Sequence, residues 1–190
     1  SFNLGAEGEN GTVTGRVIQL VALLTVLSLA PSILIMMTAF TRIVVVLSFL
    51  RSAIGIQQTP PNTVMISLAL FLTFFVMAPT FQSAWDNGVK PLLEEKIDET
   101  TAFTQSVAPF RAFMIKHVRE QDLSLFIDMA KIPKPETADA LPLQVIIPAF
   151  MISELRRAFE IGFMLFLPFL IIDMVTASIL MSMGMMMLPP

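Results

Sequence analysis

Between Arg16 and Arg42 the chain carries no charged residue across 25 consecutive positions. A helix rises about 1.5 Å per residue, so roughly 20 apolar residues cover the 30 Å hydrocarbon core of a bilayer. A stretch of this length either crosses a membrane or is buried by other helices. It also restricts the fold, because in lipid every backbone N–H and C=O must be satisfied within the segment, which a helix does unaided. The composition agrees: 55% of the 190 residues are hydrophobic and only 14% are charged, outside the usual balance of a soluble domain.

Two further segments read the same way. Residues 63–83, "TVMISLALFLTFFVMAPTFQS", are uncharged, with Asn62 placed to cap their start and Trp85 and Asp86 at the far interface. Residues 161–181, "IGFMLFLPFLIIDMVTASILM", hold the single acid Asp173 and follow the charged cuff "ELRRAFE". Pro31 is expected to kink the first segment, since its ring removes a backbone donor and clashes with the preceding turn. Gly55, Pro60 and Pro61 form a stop and turn.

The domain organisation follows from these runs. Residues 1–15 read as a flexible segment, and 16–85 as a first apolar helical hairpin turning near 52–62. Residues 86–141 form a polar helical insert, and 142–190 the first arm of a second hairpin with a methionine-rich loop. Within the insert, "KPLLEEKIDE" reads as a short amphipathic helix with Pro91 in its first turn. Asp122 is placed to cap a further helix carrying Leu123, Phe126 and Ile127. The insert is too short for a large core of its own and is expected to lean on its neighbours. The start, "SFNLGAEGENG", has no initiator Met and no basic-then-apolar leader, as expected of a chain that has lost a signal peptide or been trimmed. The stop on Pro189 and Pro190 suggests that further residues follow.

Charge placement suggests an orientation. The 42–62 connection has two Arg and no acid, whereas residues 86–160 hold twelve acids and nine bases. The positive-inside tendency then puts Arg42 and Arg51 at the cytoplasmic side, the insert outside, and the methionine-rich end back at the cytoplasmic side. These two arginines can also mark that boundary by snorkelling.

The candidate sites each carry two readings. Met181, Met183, Met185, Met186 and Met187 surround Gly184 within the last ten residues. They are either apolar filler at a helix end or, if several copies surround an axis, a deformable seal that closes a hole by dispersion contact and yields to a passing chain. Gly184 supplies backbone freedom, and Pro189 and Pro190 fix the exit. Asp173 makes a structural hydrogen bond to a neighbouring helix or has a functional role, since an unpaired charge there costs several kcal/mol. Glu154, Arg156, Arg157 and Glu160 stand at i+3 and i+4 spacing and can pair along one helix face, as an ion-pair cuff or a gate latch. His117 reads as a surface or subunit-contact residue.

Much else is excluded. Cysteine is absent and there is one histidine, which removes disulfides, thiolate chemistry and His-rich metal sites, and a net charge of −3 offers nothing to nucleic acid. No catalytic residues, metal site or cofactor are expected: HExxH, GxSxG, GxxxxGK[ST] and GxGD motifs are missing. An intramembrane protease using Asp173 lacks a second acid. An ion or small-solute channel lacks a ring of charged or carbonyl ligands at the methionine end. The residues alone support an all-α membrane protein with an external subdomain and the means to line a pore.

The blocks "LAPSILIMMTAFTRIVVVLSFLRSAIG", "TPPNTVMISLALFLTFFVMAP", "RRAFEIGFMLFLPFLIIDMV" and "MGMMMLPP", in that order, resemble the FliP family of flagellar biosynthetic proteins of the type III export gate. The resemblance runs from about residue 16 to the end. Injectisome relatives in virulence type III secretion share much of the pattern, and "LALFLTFF" favours the flagellar side. The resemblance implies a pentamer with FliQ-like and FliR-like subunits, bent helical hairpins stacked into a ring or conical helical pore, and FlhB-like and FlhA-like export proteins nearby. It implies passage of unfolded flagellar proteins, and a place in the bacterial inner membrane at the flagellar basal body, in contact with lipid and partly raised toward the periplasm. It assigns Met185, Met186 and Met187 to a pore gasket, with Met181 and Met183 adjacent. Family members continue past "MLPP" with another apolar segment.

Overall fold

The computed structural model describes residues 10–56 and 58–189. Residues 1–9 of the expected flexible segment and Pro190 lie outside the described residues. From Asn10 onward the chain is already helical, so residues 10–15 belong to the first helix rather than to a loose lead-in. Among the described residues all regular structure is helical.

The described chain divides into two units, one ending at Ile35 and one beginning at Met36. The first is α1, Asn10–Met36, with exposed apolar side chains such as Val17, Val21 and Leu24 on its surface. Its helix runs on through Pro31, the position at which a kink is expected. Thr25 and Ser28 donate their hydroxyls to the carbonyls of Val21 and Leu24 at 2.7 Å, which keeps both side chains satisfied inside an apolar segment.

The second unit contains α2, Phe40–Ile54; α3, Asn62–Ala84; α4, Lys90–Leu93; α5, Glu99–His117; α6, Glu120–Ala130; and α7, Leu143–Ser182. Helix α2 stops where Gly55 takes a left-handed φ of 84°, and α3 returns alongside it. Asn62 does not cap α3: it is the first helical residue, and its Oδ1 accepts from Arg51. A π-helical turn, Trp85–Val89, joins α3 to α4 in one rod from Asn62 to Leu93. The buried Gly88 lets that turn press on α5, since a Cβ there would sit 2.8 Å from the Ser106 nitrogen.

The "KPLLEEKIDE" helix is shorter than its amphipathic pattern suggests. It ends at Leu93, where Glu95 turns left-handed and the Glu95 and Lys96 amides close on the carbonyls of Leu92 and Pro91. The same closure ends α6 at Lys131, whose φ is 53°.

The core lies where α3, α5 and α7 meet, around Met77, Phe110, Met114, Ile146 and Phe150. Phe81 meets Phe110 edge-on at 5.5 Å, and Phe113 meets Phe150 at 5.8 Å. The polar insert therefore shares its core with the apolar helices: α5 packs on α3 and α7, and α6 on α7.

Helix α7 spans 40 residues and absorbs the charged cuff as well as the apolar segment after it. At about 1.5 Å per residue it is about 60 Å long, twice a bilayer's hydrocarbon thickness. Its first half carries the buried positions, from Val145 to Gly162, and packs among α2, α5 and α6. Its second half exposes Phe163, Met164, Ile171, Ile172 and Met174.

Candidate functional site

The polar side chains of α7 fasten it to three other places in the chain. Glu154 is completely buried and accepts two hydrogen bonds from the Arg42 guanidinium of α2, one from Nε at 2.7 Å and one from Nη2. Next to it in sequence, the buried Ser153 hydroxyl donates to Asp122 Oδ2 at 2.8 Å and accepts from the Arg119 backbone N–H at 3.0 Å. Arg156 approaches the other Asp122 oxygen at 3.7 Å, and Glu160 approaches Arg119 at the same distance.

The pairing expected along one face of α7 is thus replaced by pairing across helices. Glu154, Arg156 and Glu160 each point to a partner elsewhere, and Arg157 has no ion-pair or hydrogen-bond partner among the described residues. The physical reason is burial: a carboxylate with no solvent access needs a full set of donors at once, and a bidentate guanidinium from α2 supplies them. Asp122, expected to cap α6, is instead its third residue and turns inward to Ser153; Arg119 precedes the helix with extended backbone. Arg42 is a clamp on a buried acid, its own side chain a quarter exposed. Arg51 reaches across the α2–α3 turn to the Pro60 carbonyl at 3.2 Å and Asn62 Oδ1 at 2.7 Å.

Below this clamp α2 and α7 come very close. A Cβ on Gly162 would lie 2.6 Å from Phe49 Cγ, so the ring lies directly on the glycine. Phe49 also meets Phe159 edge-on at 5.6 Å. Beside them opens an apolar groove of about 320 Å³ lined by Phe163, Phe166, Leu167 and Leu170.

At the far end, α7 closes in a Schellman turn. Gly184, at φ 76°, donates its N–H to the Met181 carbonyl, and the Met185 N–H reaches the Leu180 carbonyl at 2.9 Å. A glycine suits this point because an L side chain is strained at that φ. The turn throws the following residues off the helix axis: Met185 is 41% exposed, Met186 78% and Met187 97%. Met181, Met183 and Pro189 are exposed too. The loop holds no charged side chain.

Asp173 is exposed on the apolar half of α7 and has no hydrogen-bond or ion-pair partner among the described residues. His117 is half-buried, its Nδ1 2.8 Å from the Phe113 carbonyl and its ring 4.4 Å from that of Phe113. No group of three His, Cys, Asp or Glu among the described residues is placed to hold a metal. Arg119, Asp122 and Ser153 are the site residues that periodicity did not single out for this role. The signal for them was indirect: charges embedded in an apolar helix require partners.

A chain with three helices long and apolar enough to cross a membrane, the last of them clamped to α2 by a buried ion pair and leading into a bare thioether loop, belongs to the class of helical membrane proteins. The model of the FliP family matches residues 23–190. The flagellar biosynthetic protein FliP of Caulobacter vibrioides is 62% identical over 183 residues, 96% of this chain and 69% of that protein. The FliP of Bacillus subtilis is 58% identical over 189 residues, 100% of this chain and 85% of that protein. The Aquifex aeolicus FliP is 53% identical over 185 residues, 96% and 77% respectively. The chain belongs to the FliP family.

Proposed function

We propose that this chain is a core subunit of the flagellar type III protein export gate, lining a pore for unfolded flagellar proteins and sealing it at rest with its methionine-rich loop. The observation that carries this reading is the loop itself: Met185, Met186 and Met187 are exposed beyond a glycine turn at the end of a rigid apolar helix. A lone chain gains nothing by exposing three thioethers together, whereas copies around an axis bring them into mutual contact. Unbranched thioethers then fill the hole and deform around side chains of many shapes. The apolar half of α7 supplies the surface along which neighbouring copies and FliQ-like and FliR-like subunits pack, with FlhB-like and FlhA-like export proteins on the cytoplasmic side. The assembly sits in the bacterial inner membrane at the flagellar basal body, with the insert toward the periplasm. Chemistry is not part of this role; the subunit is a conduit.

The test replaces Met185, Met186 and Met187 together by Ala in cells that carry the whole export apparatus. The expected outcome is an ion leak across the resting membrane, with export altered. Unchanged permeability and unchanged export overturn the seal.

A further inference from the structure

We propose that α6 is a hinged flap on α7, held shut by the single hydroxyl of Ser153 and able to lift while the Arg42–Glu154 clamp stays closed. Helix α6 packs on α7 and on no other helix to a comparable extent. Its apolar face reaches the core through Ile127, with Leu123 and Phe126 beside it. At its start only Val118 and Arg119, both extended, separate it from α5. At its end the chain turns at Lys131 and runs without α-helix to Leu141, whose carbonyl accepts from the Arg111 guanidinium of α5. The flap thus has a short hinge on one side and a longer connection, pinned at its far end, on the other.

The polar contacts across this seam are arranged to survive its opening. A hydroxyl has one proton, and that of Ser153 has two acceptors in reach: Asp122 Oδ2 at 2.8 Å and, one turn back on α7, the Ala149 carbonyl at 3.0 Å. When α6 lifts, the proton turns to Ala149 and nothing on α7 is stranded. The Arg119 N–H and the Asp122 carboxylate, buried when the flap is shut, go to water with it. Arg156 and Glu160, which face Asp122 and Arg119 from α7, have side chains 49% and 62% exposed and are hydrated in either position. Glu154 is the opposite case. It is completely buried and has Arg42 as its donor, with no second one among the described residues, so parting α2 from α7 strands a charge. The two seams of α7 therefore differ in kind, one built to part and one to hold.

The experiment uses membranes that carry the complete assembly. The chain has no cysteine, so one thiol introduced by Ile127→Cys, on the face of α6 that meets the core, marks the seam. A separate variant, Met77→Cys, places the thiol at a fully buried position of α3 and reports loosening of the whole unit. Maleimide is added, and mass spectrometry of the digested chain gives the labelling rate at each position. The thiol at 127 is expected to label at least about tenfold faster than the thiol at 77. Ser153→Ala strands the Arg119 N–H and takes a donor from Asp122 in the shut position, so it is expected to speed labelling at 127 by about tenfold and leave 77 unchanged. Asp122→Ala breaks the same seam but leaves the Ser153 proton its second acceptor and the Arg119 N–H its own, so its effect is expected to be only about two- to threefold. Equal labelling at 127 and 77 overturns the flap, because the unit then opens as a whole. So does Ser153→Ala without faster labelling at 127, or with as large a change at 77. If Asp122→Ala speeds labelling as much as Ser153→Ala or more, the carboxylate and not the hydroxyl is the fastening, and the latch is overturned.

Discussion

Glu154 and Arg42 stand 112 positions apart in sequence and share a bidentate contact at a site where the carboxylate has no solvent access. Removing one partner of a buried pair strands the other charge, which costs about 3–5 kcal/mol, far more than an exposed pair contributes. Arg42→Ala, which strands the fully buried Glu154, is therefore expected to lower stability by that order in detergent, measured by denaturant or thermal unfolding, and Glu154→Ala by less because the arginine it leaves behind is a quarter exposed. Combining both changes should recover part of the loss, since neither charge is then left alone. A cycle in which the double variant is as unstable as the sum of the singles would show the two residues to be uncoupled. The sequence exposed the need for such a partner, because a charge in an apolar helix cannot stand unpaired. It could not say which partner, since i+4 neighbours on α7 satisfy the same rule of spacing, and only the packing of α2 against α7 selects Arg42.

Among the helices, the α2–α7 and α6–α7 contacts are those whose local chemistry can be tested one position at a time. Gly162→Ala drives a methyl group into the Phe49 ring, so one helix must move or the ring must leave its rotamer. The expected cost is about 1–3 kcal/mol by overpacking, read as a lowered unfolding midpoint. Lys131→Gly should act in the opposite sense. Lys131 ends α6 with a left-handed backbone that costs an L residue about 1 kcal/mol, and glycine takes it without strain. A small rise in midpoint is expected, and a fall would mean that the lysine side chain has a contact outweighing the strain. Helix identity was readable from long uncharged runs, and the α2 stop from Gly55. Boundaries were less so: "KPLLEEKIDE" keeps its amphipathic pattern past the point where Glu95 turns the chain, because a side-chain pattern does not record a left-handed backbone. Asp122 was misplaced for a related reason, as a cap and an inward acid at the third helical position differ only by tertiary context.

For the whole molecule, the contrast along α7 predicts a contrast in local stability. Amides from about Ala149 to Ala158 lie on a face packed among three other helices, whereas those from Met183 onward follow a single closing turn. Hydrogen exchange of the detergent-solubilised chain should therefore be slowest in the first stretch and fastest in the loop. Uniform exchange along the two would contradict the division of the helix into an anchored and an unanchored half. The loop's composition was plain in the sequence. Its projection from the helix axis was not, since that depends on the closure by Gly184.

The length of α7 has a mechanical consequence. From Glu160 to Ser182 the helix runs on for about 33 Å at about 1.5 Å per residue, while its grip on the rest of the unit lies mostly before Gly162. A rod held at one end is a lever. Repacking at Ser153 or Glu154 that tilts it by about 5° sweeps the far tip through about 3 Å, close to the breadth of a methionine side chain. Small rearrangements of buried charge at the fulcrum thus translate into full displacements at the tip, with no change of fold between them.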